Sequence, residues 1–238
     1  MNATIATITF RSMLGRRRAL LLLVLPAILV ALAAGIRVMG EDDLETAALV
    51  LQQFGLATLL PLLALIAGTG VIGPEIDDGQ IMYVLTKPIP RRVIVLTKLA
   101  VAIVLVTAFA VVPTLLAGIL LAGTTAGVTA AYTVGVLVGG LAYSSIFVAL
   151  AVASRNAVTI GLLYALVWES LLASFAPGAK SASVQAWALS VTDSLTSATM
   201  VDSSVGLPVA ITLLVAVTAV AAFLAVFRLR ALSVASAE

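Results

Sequence analysis

The sequence predicts an all-α integral membrane protein with six transmembrane helices, an N-terminal interfacial helix and a short cytoplasmic helix between spans two and three. Two observations predict this class. Hydrophobic residues make up 62% of the 238 residues and charged residues only 10%, with a mean hydropathy of +1.22; this leaves too little polar surface to cover a water-soluble globule. Apolar runs also recur along the chain, and about 20 such residues cross about 30 Å of hydrocarbon. We therefore expect a single transmembrane domain over residues 1–238.

The first element is the stretch 1–18. Its residues Ile5, Ile8 and Phe10 are interleaved with threonines, which suits an amphipathic helix that lies in the membrane interface. A disordered tail is one alternative. A secretory signal is the other, because basic residues precede an apolar run that ends in Ala31–Gly35.

The six predicted spans follow in order. They occupy residues 19–38, 54–73, 99–121, 132–153, 157–175 and 207–227. Gly40–Gln53 is expected to be an outer connection and Ser154–Asn156 a tight inner turn. The outer segment 176–206 has enough apolar residues for short helices, and its Trp187 suits an anchor at the membrane interface. Gly135 and Gly139 in span four would permit close helix approach.

The distribution of Lys and Arg predicts the orientation, because basic loops stay cytoplasmic. Eleven of the thirteen basic residues flank the spans on one side, and only Arg37 and Lys180 fall on the other. Both termini are therefore predicted to be cytoplasmic. The net charge of +2, with its cations confined to the span flanks, indicates topology and anionic lipid rather than nucleic-acid binding.

The composition also bears on chemistry. Cys and His are both absent, which excludes thiolate nucleophiles, disulfides, intramembrane metalloproteases and Ser-His catalysis. A membrane enzyme would need a cluster of acidic residues on facing helices, whereas the acidic clusters here, Glu41–Glu45 and Glu75–Asp78, lie outside the predicted spans. We expect a non-catalytic chain without a metal site.

The inner loop 75–92 is a polar island in this apolar sequence. Gly73 and Pro74 are expected to end span two, since proline lacks an amide hydrogen. The carboxylates that follow, from Glu75 onwards, could accept hydrogen bonds from the first amides of a short helix. Residues 80–85 form an amphipathic stretch that Pro88 and Pro90 stop. The loop is either a well-capped connector or an element on which a soluble partner docks.

The motif in this loop resembles the first inner loop of the ABC-2 type membrane permeases, the second exporter type among bacterial ABC permeases. The matching positions are Glu75, Ile76, Asp77, Asp78, Gly79, Val84, Leu85, Thr86, Lys87, Pro88, Arg91, Arg92 and Lys98. Gln80 stands where such permeases usually carry Thr. The resemblance extends to an amphipathic N-terminal helix, six spans and an acidic residue, Glu169, late in span five.

The resemblance implies a permease subunit in the bacterial inner membrane that pairs with a second copy or a paralogue and rests on a separate ABC-type ATPase. ATP and Mg would bind that ATPase, and the permease would export a hydrophobic or amphipathic substrate. The sequence has no Gly-x-x-x-x-Gly-Lys-Ser/Thr loop for nucleotide phosphates. The residues implied to couple the permease to the ATPase are Glu75, Ile76, Asp77, Asp78, Gly79, Ile81, Tyr83, Leu85, Pro88, Arg91, Arg92 and Lys98.

Glu169 has two interpretations. A carboxyl group within a span is costly unless it faces a partner, a cavity or water, so Glu169 could line a substrate path or an outer gate. It could instead bond to the outer segment 176–206 as a structural tie. The alternative to the permease as a whole is a self-contained secondary transporter or channel, which would be expected to carry buried charges in several spans.

Overall fold

The computed structural model describes residues 3–40, 43–77, 90–172, 182–197 and 203–231, and every secondary-structure element in them is a helix. Side chains are described in these ranges except at 16–18, 77, 126, 170–172 and 231. The helices are α1 (Ala3–Met13), α2 (Arg16–Val38), α3 (44–70), α4 (Gly73–Asp77), α5 (Arg91–Leu121), α6 (Val128–Ala153), α7 (157–172), α8 (Val184–Leu195) and α9 (Leu207–Ala231).

Five of these helices are long and apolar enough to cross a membrane. Their spans are Ala19–Val38, Leu44–Ile76, Arg91–Leu121, Val128–Ala153 and Leu207–Arg230, and the second of them takes in α3 and most of α4. Each contains or coincides with most of one predicted span. The fifth predicted span, 157–175, falls on α7, whose apolar stretch Ala157–Glu169 is shorter than the other five; its last residues lie outside the described ranges.

Two long helices change their hydrogen-bond pattern just before a proline. Helix α3 is π-helical over Leu51–Leu59 and α5 over Thr107–Val111. Pro61 and Pro113 are each the second residue of the α-helical segment that follows. Proline donates no amide hydrogen, and its ring collides with the carbonyl four residues earlier in an α-helix. A π turn is wider than an α turn, and in both helices it lies where the proline ring would meet that carbonyl. Both helices therefore continue past their prolines.

Helix α6 lies at the centre of the bundle and contacts α3, α5, α7, α8 and α9. It carries the fully buried aromatic side chains Tyr132, Tyr143 and Phe147. Its glycines allow close packing: a Cβ at Gly135 would overlap the Thr192 hydroxyl of α8, and one at Gly139 would lie 3.2 Å from the Cβ of Ala188. The small-residue pair in span four therefore does bring two helices together, and the partner of α6 there is α8.

Three expectations about the connections were wrong. Residues 44–53, expected to be part of an outer loop, already belong to α3. Pro74 does not end a helix, because α3 ends at Gly70 and Pro74 lies in the first turn of α4, where a missing amide hydrogen costs nothing. Trp187 is 5% exposed: α8 packs inward against α6, so its indole fills the core instead of anchoring the membrane surface.

The basic residues whose side chains the structure describes segregate as the sequence predicts. The start of α5 meets the end of α9, where the Arg91 guanidinium donates to the backbone carbonyls of Leu229 and Arg230. The turn that carries Arg155 lies beside the end of α3. We call this end of the bundle, with Arg91, Arg92, Arg155, Arg228 and Arg230, the basic end. Arg37 lies at the opposite end, beside the connection after α5.

Candidate coupling site and outer tie

Lys98 is the centre of the polar site at the basic end. It lies in the second turn of α5 and is 1% exposed. Its Nζ donates to the carbonyl oxygen of Val71 at 2.6 Å and to Oε1 of Glu75 at 2.6 Å, and it lies 3.5 Å from the hydroxyl of Thr9. A buried ammonium group is costly unless it is paired and hydrogen-bonded. Lys98 meets that requirement by joining three separate helical segments, α1, the end of α3 and α4, to α5.

Each partner of Lys98 supplies a different kind of contact. The carbonyl of Val71 belongs to the C-terminal end of α3, where carbonyls lack partners within the helix and a cation is favoured. Glu75 provides the compensating charge, and the pair forms a salt bridge with 24% of the Glu75 side chain exposed. Its Oε2 is buried and has no hydrogen-bond partner within the described residues. Thr9 is buried in α1, so the N-terminal helix is held against the same lysine.

The predicted helix at 80–85 lies outside the described residues, so the expectation that the preceding carboxylates accept its first amides stays a prediction. Glu75 lies within α4 itself, and its carboxylate accepts from Lys98. Ile76, its neighbour, packs against the hydrophobic core. The backbone of Asp77 ends α4. The lysine that opens the third span thus fixes the beginning of the inner loop.

Of the remaining predicted coupling residues, the structure describes Arg91 and Arg92 and does not describe the others. Arg91 is half-buried and bonds the end of α9, whereas Arg92 is exposed on the same helix turn. Those that lie outside the described residues are Asp78, Gly79, Ile81, Tyr83, Leu85 and Pro88. The structure therefore brings together Glu75, Ile76, Arg91, Arg92 and Lys98 at the basic end.

Glu169 forms a second polar site, in the π-helical half of α7, and is 2% exposed. Its Oε1 accepts from the Tyr164 hydroxyl at 2.9 Å and from the Val184 amide at 3.1 Å. Its Oε2 accepts from the Ser183 hydroxyl and, at 3.4 Å, from the Gln185 amide. The carboxylate thus satisfies the first amides of α8, whose positive dipole end favours a negative charge.

This geometry matches the structural interpretation of Glu169, because the contacts tie α7 to the outer segment. The aromatic residues nearby reinforce the tie. Tyr164 packs edge-on against Phe147, which stacks on Tyr143 at 6.0 Å between ring centroids. A role for Glu169 in a gate stays a prediction.

Sequence reasoning missed Thr9 and Ser183. Ser183 is the N-cap of α8, where its hydroxyl also accepts from the Ala186 amide at 3.2 Å; a serine before an apolar helical stretch is a recognised start signal and could have been found. Thr9 gave no such signal, since one threonine of an amphipathic stretch looks like the others. Among the residues that the structure describes, no group of three or more His, Cys, Asp or Glu side chains is placed to hold a metal ion.

The fold and these sites define a polytopic membrane protein with a polar cluster around Lys98 at one end of an apolar bundle. A family model described as "ABC-2 family transporter protein" matches residues 14–176, which is more than half of the chain. The chain therefore belongs to the ABC-2 transporter family, whose permeases are membrane transport components and generally non-catalytic. The search of proteins with curated functions found no match.

Proposed function

We propose that this chain is the permease subunit of an ATP-driven exporter and couples ATP hydrolysis on a separate ABC-type ATPase to export of a hydrophobic or amphipathic substrate. The family match supports the permease assignment. The observation that carries the coupling is the buried Lys98, which links the start of the inner loop to α1 and α5. In this proposal the ATPase docks on the inner loop, residues 75–92.

The packing at Lys98 gives a physical route for the coupling. A charge in a buried site cannot leave its partners without losing their compensation. A displacement of α4 by the ATPase therefore moves Glu75, Lys98 and the start of α5 together, and α1 follows through Thr9. Lys98 is in this proposal a positioning residue: it transmits movement and does not contact nucleotide.

The partner chains follow from the same proposal. ATP and Mg bind the ATPase, because the permease sequence lacks a phosphate-binding loop. A second permease chain, identical or paralogous, completes the membrane part. The basic end faces the cytoplasm of a bacterial cell, with both termini on that side, as the excess of Lys and Arg at that end favours.

Co-purification from the native host tests the proposal. We expect a soluble protein with an ATP-binding loop to accompany the full chain in stoichiometric amount, and the association to be lost when residues 75–85 are replaced. A chain that purifies alone and moves solute in liposomes without ATP would establish the secondary-transporter alternative instead.

Single substitutions refine that test. Asp77→Lys and Tyr83→Ala are each expected to abolish stimulation of the ATPase without preventing membrane insertion. Asp43→Lys is the matched control, since Asp43 is an exposed residue just before α3, at the end of the bundle remote from the proposed docking surface. Normal stimulation in both test variants would refute the docking surface.

A further inference from the structure

A groove of about 270 Å³ runs between α5 and α9 at the basic end. Six of its lining residues define it: Arg92, Leu96, Phe223, Val226, Phe227 and Arg230. We call it the α5–α9 groove. It lies on the outer surface of the bundle, away from the polar contacts of Lys98 and from those of Glu169.

The groove has a charged entrance and an apolar interior. Arg92 is in the first turn of α5 and Arg230 in the last turn of α9, so the two guanidinium groups belong to the same end of antiparallel helices. Leu96 and Phe227 follow one turn deeper, and Phe223 one turn deeper still, as the 3.6-residue period requires. Polarity therefore falls from the membrane surface inwards.

The apolar wall is open to the membrane. Phe223 is 67% and Phe227 59% exposed, and their rings stack with centroids 6.4 Å apart. Among the residues that the structure describes, none that lines the groove is acidic. The groove thus has two arginine side chains at headgroup depth and an aromatic surface at acyl-chain depth, a combination that is complementary to an amphipathic anion.

The two walls of the groove are fixed to one another. The Arg91 guanidinium donates to the carbonyl of Arg230 at 2.9 Å and to that of Leu229 at 3.4 Å, so the last turn of α9 is bound to the first turn of α5. Walls that are already held together lose less conformational entropy when a ligand binds between them. The fixed walls also distinguish this groove from the general basic flank of a span.

From this arrangement we infer that the α5–α9 groove binds one acidic phospholipid of the leaflet at the basic end, with its phosphate between Arg92 and Arg230 and an acyl chain along Phe223 and Phe227. A soluble phosphate would gain nothing from the aromatic wall. The outward opening at acyl-chain depth favours a lipid. The inference does not depend on the proposed ATPase coupling.

Native mass spectrometry of the full-length protein in detergent tests the inference. The probes are phosphatidylglycerol and phosphatidylcholine with identical acyl chains. We expect tighter retention of phosphatidylglycerol, and a loss of about fivefold in its affinity for each arginine removed, in Arg92→Gln and Arg230→Gln. Arg228→Gln is the matched control, because Arg228 is exposed on the same helix but does not line the groove.

Three outcomes would overturn the inference. Equal retention of the two lipids would remove the role of the headgroup charge, and equal losses in Arg228→Gln and Arg230→Gln would indicate only the general charge of that end. Displacement of phosphatidylglycerol by millimolar inorganic phosphate would identify a phosphate site without a lipid.

A cross-linking experiment on the unsubstituted protein covers the case in which the variants do not fold. Phosphatidylglycerol with a photoreactive acyl chain is expected to label the segment 222–227. Labelling confined to other helices would refute the site.

Discussion

The Nζ of Lys98 lies 2.6 Å from Oε1 of Glu75, a residue 23 positions earlier in the chain. The same atom lies 2.6 Å from the carbonyl of Val71. One side chain therefore holds the last turn of α3, the short helix α4 and the second turn of α5 in a single arrangement. In the proposed exporter this is the point at which the inner loop enters the bundle.

Replacement of Lys98 should remove the hydrogen bonds that join the start of the inner loop to α5. We expect Lys98→Met to lower the free energy of unfolding by about 1–3 kcal/mol, because the carboxylate of Glu75 and the carbonyl of Val71 lose their donor. The thermal midpoint in detergent measures this change. Combined with Glu75→Gln in a double-mutant cycle, the two effects should be less than additive, because the residues are in direct contact.

The matched control for this cycle is Arg155→Met, which removes an exposed positive charge at the same end of the bundle. Its effect should be within about 0.5 kcal/mol. Strict additivity of Lys98→Met and Glu75→Gln would contradict the role of Lys98 as the link.

The Glu169 tie makes a prediction about hydrogen exchange. In Glu169→Gln the side-chain amide nitrogen cannot accept hydrogen bonds, so at least one of the bonds from Ser183, Val184 and Gln185 is lost, at a cost of about 1–3 kcal/mol. Peptides that cover residues 183–187 should exchange faster. Glu45→Gln is the control, since Glu45 is an exposed acidic residue.

The two interpretations of Glu169 separate in this experiment. Faster exchange with a loss of assembly supports the structural tie. Unchanged exchange and assembly with altered transport would support the gate and contradict the tie.

The contact between α6 and α8 predicts a steric defect. In Gly135→Ala the added Cβ would overlap the Thr192 hydroxyl and lie 3.2 Å from the carbonyl oxygen of Ala188. Overpacking of this kind costs about 1–3 kcal/mol and outweighs the helix propensity gained from alanine. The thermal midpoint should fall, and Thr192→Ala in the same chain should restore part of it.

Gly35→Ala is the matched control for this defect. Gly35 is also in a helix interior, and a Cβ there meets nothing within 4 Å. Its midpoint should stay constant or rise. A fall as large as that of Gly135→Ala would show that the loss does not come from the α6–α8 contact.

The absence of cysteine from the sequence makes the orientation testable by single substitutions. Asn156→Cys lies in the exposed turn between α6 and α7, and Thr124→Cys lies in the exposed connection between α5 and α6. In intact cells a membrane-impermeant maleimide should label Thr124→Cys and leave Asn156→Cys unlabelled until the membrane is permeabilised. The reverse pattern would place the basic end outside.

Hydropathy and charge predicted much of the architecture, because both are local properties of the chain. The five long helices coincide with predicted spans, and the turn at Ser154–Asn156 falls where α6 gives way to α7. Helix starts were predicted less well. Helix α3 begins at Leu44 and α5 at Arg91, whereas the predicted spans began at residues 54 and 99. Hydropathy indicates which residues suit the hydrocarbon core of the membrane. It does not indicate how far a helix continues beyond that core.

By itself the sequence determined the class of protein, the apolar spans, the segregation of basic residues and the motif that indicated the family. Only the tertiary structure decided that Lys98 bonds both Glu75 and Thr9, that Glu169 holds the start of α8 and that Trp187 is buried. The physical reason is that these contacts join residues from 14 to 89 positions apart. Periodicity along one helix contains no information about which neighbouring helix supplies the partner of a polar side chain.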